Sequence, residues 1–170
     1  MMILVSGGSA SGKSEYAESL CADAGSAKYY IATMQPFGED GRERIARHRE
    51  LRKGKGFETI ERYTDFADLV LPARGTVLLE CIGNLCTNEM FDENYNVKNP
   101  VPAVLRGVAA LNAQCEKLVI VTNETGSDIN EYSEETMAYI RAMGEINSEL
   151  SKLADCVYEV VCGIPIKHKG

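Results

Sequence analysis

Short apolar runs alternate along the chain with longer stretches whose apolar residues recur at helical spacing. The runs that predict β-strands are Ile3–Ser6, Tyr29–Thr33, Thr76–Glu80, Leu118–Thr122 and Val157–Val161. Most are apolar at every position, which is typical of parallel strands covered on both faces of a sheet. The stretches that predict helices are Lys13–Ala24, Gly41–Arg52, Phe66–Leu71, Val101–Gln114 and Glu134–Leu153. This alternation predicts an open, doubly wound α/β sheet with right-handed crossovers.

The connecting segments and the composition add limits to this picture. The polar, proline-bounded stretch Asp92–Pro102 is the most loop-like part of the chain, and the glycines of Lys53–Gly56 predict a turn. A length of 170 residues suits one domain, residues 1–170, with a core of its own. The formal net charge of −7 argues against general nucleic-acid binding. The amino-terminal run MMILVSGG lacks a basic region and predicts a buried strand rather than a signal peptide.

The cysteines and the hydropathy pattern bear on location. Six cysteines lie mostly inside apolar segments, without a CxxC pair, which favours buried free thiols of a cytoplasmic protein over disulfides or zinc. No apolar run approaches the length of a membrane span, so we expect no stable membrane insertion.

Residues 7–14, GGSASGKS, match the phosphate-loop pattern GxxxxGK[ST] between a predicted strand and a predicted helix. We expect their backbone N–H groups to face a nucleotide's phosphates, Lys13 to reach the β- and γ-phosphates, and Ser14 to ligate Mg²⁺. The loop residues concerned are Gly7, Gly8, Ser9, Ala10, Ser11, Gly12, Lys13 and Ser14. With the alternation of elements, the motif predicts a three-layer P-loop NTPase fold of the RecA-like kind, with a mostly parallel central sheet. The alternative is a glycine-rich turn with an incidental lysine.

Such a site also needs an acidic side chain at the end of another strand, close to the metal. Glu80 ends the run TVLLE and Glu124 ends KLVIVTNE, so either residue fits. Glu80 follows the cleaner apolar run, and we therefore predict that Ser14 and Glu80 hold the metal. The alternative for each glutamate is a strand-end carboxylate that faces water.

The segment RIARHRELR, residues 44–52, places His48 among four arginines. It can be interpreted as a solvated amphipathic helix anchored by Ile45 and Leu51. The functional interpretation makes His48 a nucleophile toward phosphorus, with the arginines neutralising the triphosphate under attack.

Several segments in this order carry a resemblance to a known family. They are MMILVSGGSASGKSEYAE, YYIATM, RIARHRELR followed by FETIE, LLECIGNLCTN, VTNETG and ADCVYEVVCGIPIKHKG. Through these segments, taken together, the chain resembles the bifunctional adenosylcobinamide kinase/adenosylcobinamide-phosphate guanylyltransferases of cobalamin biosynthesis. The resemblance implies phosphorylation of adenosylcobinamide by ATP or GTP, then transfer of GMP from GTP through a guanylylated histidine, at the position of His48.

The resemblance also implies further site residues and an assembly. Beyond the phosphate loop, the nucleotide site would include Ala32, Thr33, Met34, Arg49, Glu50, Leu51, Arg52, Glu61 and Glu80, with Glu61 accepting hydrogen bonds from guanine. His48 and Lys13 would be catalytic, Mg²⁺ the metal, and the protein a homo-oligomer, a trimer in this family. The partners are the corrinoid substrate and GTP or ATP, without nucleic acid.

Departures from the family pattern leave two alternatives open. Phe57 replaces a usual tryptophan, and residues 127–135, SDINEYSEE, replace the usual continuation after VTNETG. One alternative is a P-loop small-molecule kinase without nucleotidyltransferase activity, and the other is a nucleotide-binding regulatory or scaffold protein. The second histidine, His168, is interpreted as a solvated residue of the tail, and Cys81 and Cys86 as core residues.

Overall fold

The computed structural model describes residues 1–22, 27–92, 96–126 and 132–170, and it leaves the side chains of Asp40 and Leu51 undescribed. The strands are β1 (Met2–Ser6), β2 (Ala27–Ala32), β3 (Glu58–Glu61), β4 (Gly75–Glu80), β5 (Lys117–Val121), β6 (Cys156–Val161) and β7 (Ile164–Lys169). The helices are α1 (Lys13–Ser19), α2 (Gly38–Arg52), α3 (Ile82–Met90), α4 (Val101–Gln114) and α5 (Glu134–Leu153).

The strands form one sheet in the order β3-β2-β4-β5-β1-β6-β7. Every neighbouring pair is parallel except β6 and β7, which form an antiparallel hairpin. The five predicted strands are all present and lie at the centre of the sheet as β1, β2, β4, β5 and β6. The prediction of a mostly parallel α/β sheet is thus confirmed.

Side chains alternate between two hydrophobic clusters, one on each face of the sheet. Met2 and Leu4 of β1 face a cluster shared with α3, α4 and α5. Ile3 and Val5 face the opposite cluster, which includes Ala17 of α1. Because both faces of the sheet are covered, the central strands are apolar at almost every position.

Several predicted boundaries were wrong. The helix predicted over Lys13–Ala24 ends at Ser19, and residues 23 and 24 lie outside the described residues. The helix predicted over Phe66–Leu71 is a single 3₁₀ turn, Phe66–Asp68. Pro72 disfavours helical geometry at the residue before it, which explains why the helix does not continue.

Three elements had not been predicted, namely β3, α3 and β7. Strands β3 and β7 are edge strands with mostly exposed side chains, so they lack the apolar run that marks the central strands. The turn predicted at Lys53–Gly56 is present, with positive φ at Gly54 and Gly56. Residues 93–95 of the predicted loop lie outside the described residues.

Within the described parts of the chain, no helix combines the length and the apolar character that crossing a bilayer requires.

Candidate active site

The phosphate loop, residues 7–14, connects the end of β1 to the start of α1. Gly12 precedes α1 with φ of 90°, a left-handed conformation that glycine adopts without strain. The Lys13 side chain is buried, and its Nζ donates a hydrogen bond to the carbonyl oxygen of Gly8 at 2.9 Å. The Ser11 carbonyl accepts a hydrogen bond from the backbone N–H of Gly163 at 2.8 Å, so the turn between β6 and β7 supports the loop.

Glu80 lies at the carboxyl end of β4, beside the phosphate loop. Its Oε1 accepts a hydrogen bond from the Ser14 hydroxyl at 2.5 Å, and its Oε2 accepts one from the Tyr30 hydroxyl at 3.0 Å. The structure therefore brings together the two residues predicted to hold a metal. The competing candidate, Glu124, is exposed after β5 and does not line the cavity described below.

Helix α2 carries His48 along the opposite side of the site. His48 is half-buried, and Arg44, Arg47 and Arg49 on the same helix are exposed. Arg49 forms an ion pair with Glu61, the last residue of β3. Arg52, at the end of the helix, is buried, and its Cζ lies 3.4 Å from the centre of the Tyr30 ring.

One cavity of about 540 Å³ lies between the phosphate loop and α2. We call it the active-site cavity. The predicted site residues that line it are Ser9, Ala10, Ser11, Gly12, Lys13, Ser14, Ala32, Met34, His48, Arg49, Arg52, Glu61 and Glu80. His48 and the phosphate loop thus share a single cavity, although they lie in separate segments of the sequence.

Of the predicted nucleotide-site residues whose side chains the structure describes, four are not among those that line the cavity. Gly7 and Gly8 contribute backbone to the loop, and Glu50 is exposed and pairs with Lys53 at 3.6 Å. Thr33 is fully buried, and its hydroxyl donates to the carbonyl oxygens of Glu80 and Cys81 at 3.0 Å each. Its hydroxyl thus joins the ends of β2 and β4. The side chain of Leu51 lies outside the described residues.

The cavity also contains residues that the sequence did not single out, Tyr30, Asn84 and Asn123 among them. Asn123 lies two residues beyond the end of β5, and its carbonyl oxygen accepts a hydrogen bond from Asn147 of α5 at 3.1 Å. Asn123 could have been predicted as a site residue from the sequence, since residues that follow parallel strands gather at one edge of a sheet. Asn84 could not have been predicted, because the helix that carries it, α3, was not predicted.

The charges around the cavity suit a polyphosphate. Its lining includes one lysine and four arginines against three glutamates, in a chain whose formal net charge is −7. Among the described residues, the buried side-chain atoms that lack a hydrogen-bond partner are Ser11 Oγ and Arg52 Nε, and both residues line this cavity. Buried polar atoms normally have partners, so these two indicate donors available to a ligand.

The remaining chemically reactive groups lie in ordinary surroundings. All six cysteines are free, and burial raises the pKa of the Cys86 thiol to about 12. Burial also raises the pKa of Cys81, which lines the cavity. His168 is exposed as predicted, but it lies in β7, where its Nε2 is 2.9 Å from Glu159 Oε2, rather than in a free tail. The described residues contain no cluster of three or more histidine, cysteine or acidic side chains suited to a metal.

Comparison with known sequences gives a consistent answer along the whole chain. A family model described as cobinamide kinase / cobinamide phosphate guanyltransferase matches residues 3–168. The bifunctional adenosylcobalamin biosynthesis protein CobU of Escherichia coli (strain K12) is 34% identical over 183 residues, covering 99% of this chain and all of the relative. The corresponding protein CobP of Pseudomonas aeruginosa is 31% identical and covers all of this chain and 98% of the relative.

Comparison with solved structures concerns the fold. An ATPase from the type III secretion system of pathogenic bacteria superposes with a TM-score of 0.55, covering 93% of this chain and 51% of that chain. The two sequences are 13% identical, so the likeness extends to the fold alone. It agrees with the predicted RecA-like P-loop architecture.

Proposed function

The chain belongs to the cobinamide kinase / cobinamide phosphate guanyltransferase family, and from that premise we propose that both family reactions use the active-site cavity. The protein is a bifunctional enzyme of adenosylcobalamin biosynthesis, which phosphorylates cobinamide and then transfers GMP to the product. The observation that carries the proposal is the shared lining. His48 and residues 9–14 of the phosphate loop border one cavity of about 540 Å³.

In the kinase step, the side-chain hydroxyl oxygen of adenosylcobinamide attacks the γ-phosphorus of ATP or GTP. A bond forms between that oxygen and phosphorus, and the hydroxyl proton is released to solvent. The bond from phosphorus to the bridging oxygen breaks, and a nucleoside diphosphate leaves. Lys13 lies in the loop where its ammonium can neutralise charge on the transferred group. The phosphate loop binds phosphates and not the base, so it accommodates either nucleotide.

In the guanylyl step, an imidazole nitrogen of His48 attacks the α-phosphorus of GTP. A P–N bond forms as the bond to the β-phosphate oxygen breaks, and pyrophosphate leaves. A phosphate oxygen of adenosylcobinamide phosphate then attacks the same phosphorus, breaks the P–N bond and gives adenosylcobinamide-GDP. Covalent catalysis of this kind divides one difficult displacement into two. The position of His48 on the cavity supports this role.

Magnesium fits the oxygen atoms at the end of β4. The Ser14 hydroxyl and the Glu80 carboxylate lie 2.5 Å apart, and both are hard oxygen ligands of the kind that Mg²⁺ prefers. We propose that these two residues hold it. When bound, the cation would neutralise negative charge on the phosphates.

The surroundings of the enzyme are also part of the proposal. Six free cysteines support a reducing compartment such as the cytoplasm. Edge strand β7 exposes Ile164 and Ile166, which supports burial of this strand in a homo-oligomer, a trimer by resemblance to the family.

The experiment that tests the proposed function is incubation of the purified protein with Mg²⁺ and GTP labelled in the α-phosphate. We expect an intact-mass increase equal to GMP, on a bond that is labile to acid and stable to alkali. The His48→Ala variant should form no adduct yet still phosphorylate adenosylcobinamide, because only the guanylyl step uses the nucleophile.

The chain provides its own matched control, because it has only two histidines. His168→Ala removes an imidazole that contacts Glu159 in the β6–β7 hairpin and is not among the residues that line the cavity, so this variant should form the adduct as the unaltered enzyme does. An adduct in His48→Ala, or equal loss of both activities in a folded His48→Ala protein, would rule out the assignment. Phosphorylation without any adduct in the unaltered enzyme would favour a kinase that lacks nucleotidyltransferase activity.

A further inference from the structure

Tyr30 occupies the middle of β2, on the face of the sheet that borders the active-site cavity. Its backbone is paired with Thr59 of β3 and Leu78 of β4, and only 3% of the residue is exposed. The preceding residue, Tyr29, is equally buried but packs in the cluster on the opposite face. Tyr30, unlike Tyr29, is among the residues that line the active-site cavity.

The hydroxyl of Tyr30 fixes one oxygen of the Glu80 carboxylate. It donates a hydrogen bond to Oε2 at 3.0 Å, while Ser14 donates to Oε1. A carboxylate held at both oxygens cannot rotate without breaking a hydrogen bond. Tyr30 thus sets the plane in which Glu80 presents its oxygens beside the phosphate loop.

The ring of Tyr30 supports the guanidinium of Arg52. The Cζ of Arg52 lies 3.4 Å from the ring centroid, and Phe57 meets the same ring edge-on with centroids 6.2 Å apart. Only 7% of Arg52 is exposed, and its Nε has no hydrogen-bond partner among the described residues. A buried cation in this position gains its stabilisation from the aromatic face, which also fixes the direction of its N–H groups.

We propose that Tyr30 is a positioning residue which aligns the metal-binding carboxylate of Glu80 through its hydroxyl and the phosphate-binding guanidinium of Arg52 through its ring. One side chain thereby connects the wall of the cavity that carries the phosphate loop with the end of the helix that carries His48. The hydroxyl part of this inference rests on the proposed binding of Mg²⁺ at Glu80. Partners that orient a metal ligand commonly change metal affinity by about 10- to 100-fold when they are removed.

The test compares Tyr30→Phe with Tyr29→Phe. Both variants remove one buried hydroxyl from the same strand, but that of Tyr29 accepts a hydrogen bond from the backbone N–H of Ala73, at 3.1 Å, on the other face. Each protein is heated with a GTP analogue whose bridging oxygens are methylene groups, over a range of Mg²⁺ concentrations. The half-saturating Mg²⁺ concentration is read from the rise in unfolding temperature, and so it does not depend on turnover.

We expect Tyr30→Phe to raise the half-saturating Mg²⁺ concentration about tenfold or more. Tyr29→Phe should lower the unfolding temperature without changing the Mg²⁺ requirement. Equal Mg²⁺ requirements in Tyr30→Phe and the unaltered enzyme would overturn the hydroxyl role. If the unaltered enzyme forms no GMP adduct but Tyr30→Phe still raises the Mg²⁺ requirement, the proposed guanylyl transfer is rejected and this inference stands.

The ring contact is tested without metal. Affinity for the same analogue is measured in the absence of Mg²⁺ for Tyr30→Leu, Arg52→Lys and the double variant. Tyr30→Phe keeps the ring and should retain the affinity, whereas Tyr30→Leu should lose it several-fold. If Tyr30 acts through Arg52, the two single losses will not add in the double variant. Additive losses would overturn the ring role. If Tyr30→Leu does not fold, Tyr30→Phe remains as the test, because it keeps the ring. Lost affinity in Tyr30→Phe would then overturn the ring role.

Discussion

The two walls of the active-site cavity are built in different ways. The phosphate loop is held by backbone geometry and buried contacts, as the left-handed Gly12 and the buried Lys13 illustrate. Along α2, by contrast, Arg52 is the sole buried residue among those whose side chains the structure describes. The remaining described side chains of α2 are half-buried or exposed, His48 among the half-buried ones.

This difference separates a general task from a specific one. Every nucleoside triphosphate offers the same phosphate chain, and a rigid loop with fixed N–H donors can bind it in either reaction. Helix α2 carries His48, the proposed nucleophile of one reaction, and the helix is held by side-chain contacts such as Arg52 on Tyr30 and Arg49 with Glu61. Substitutions in the loop should therefore affect both reactions, whereas substitution of His48 should affect only one.

The largest expected effect is that of Lys13→Ala. Removing this ammonium should lower both phosphorylation and guanylylation by at least about 100-fold, because it neutralises charge in both transfers. Lys53→Ala removes a charge of the same sign from the exposed turn after α2 and should leave both rates unchanged. Steady-state rates with each substrate measure the two activities. Loss of one activity alone in Lys13→Ala would contradict a loop wall that serves both.

A smaller effect is expected from adding one methyl group to the loop wall and, for comparison, one to the turn after α2. A Cβ at Gly12 would lie 3.2 Å from the Cα of Gly163, and φ there is +90°, so Gly12→Ala is strained both by its backbone and by its neighbour. Gly54, in the turn after α2, has φ of +79° with open space around it, and Gly54→Ala should cost only about 1–2 kcal/mol of backbone strain.

Chemical denaturation and nucleotide affinity separate these two variants. Gly12→Ala should lose more free energy of unfolding than Gly54→Ala and should also bind GTP more weakly. Equal stabilities and equal affinities would show that the contact between the loop and the β6–β7 turn is not tight.

The smallest expected effect is that of Glu61→Gln. The ion pair of Glu61 with Arg49 is well exposed, with 43% and 59% of the two side chains accessible, so its loss should cost less than about 1 kcal/mol of stability. If Glu61 accepts hydrogen bonds from guanine, the preference for GTP over ATP should nevertheless fall. Competition binding with both nucleotides tests this, and an unchanged preference would remove Glu61 from base recognition.

The sequence predicted those parts of the site that depend on neighbouring residues in the chain. The phosphate loop and the helix with His48 could be recognised because each lies within a continuous pattern. The roles of Tyr30 and Thr33 could not be recognised, because they depend on β2 lying beside β4. Thr33 was predicted to contact nucleotide, yet its hydroxyl is engaged by the backbone at the end of β4.

The sequence predicted those strands whose burial on both faces makes them continuous apolar runs. The five central strands are apolar runs, whereas every residue of β7 is exposed and the residues of β3 are mostly so. Helix α3 begins at Ile82, directly after the N-cap residue Cys81, so no polar linker separates it from the strand before it. Its short length further weakens the periodic signal.

The position of β1 has a consequence for biosynthesis. This strand lies between β5 and β6, so both of its sheet neighbours belong to the later parts of the chain. The phosphate loop that follows β1 is further supported by Gly163, in the last turn. On the ribosome, the nucleotide-binding motif is therefore translated before β5 and β6, and it lacks these supporting strands until both have emerged.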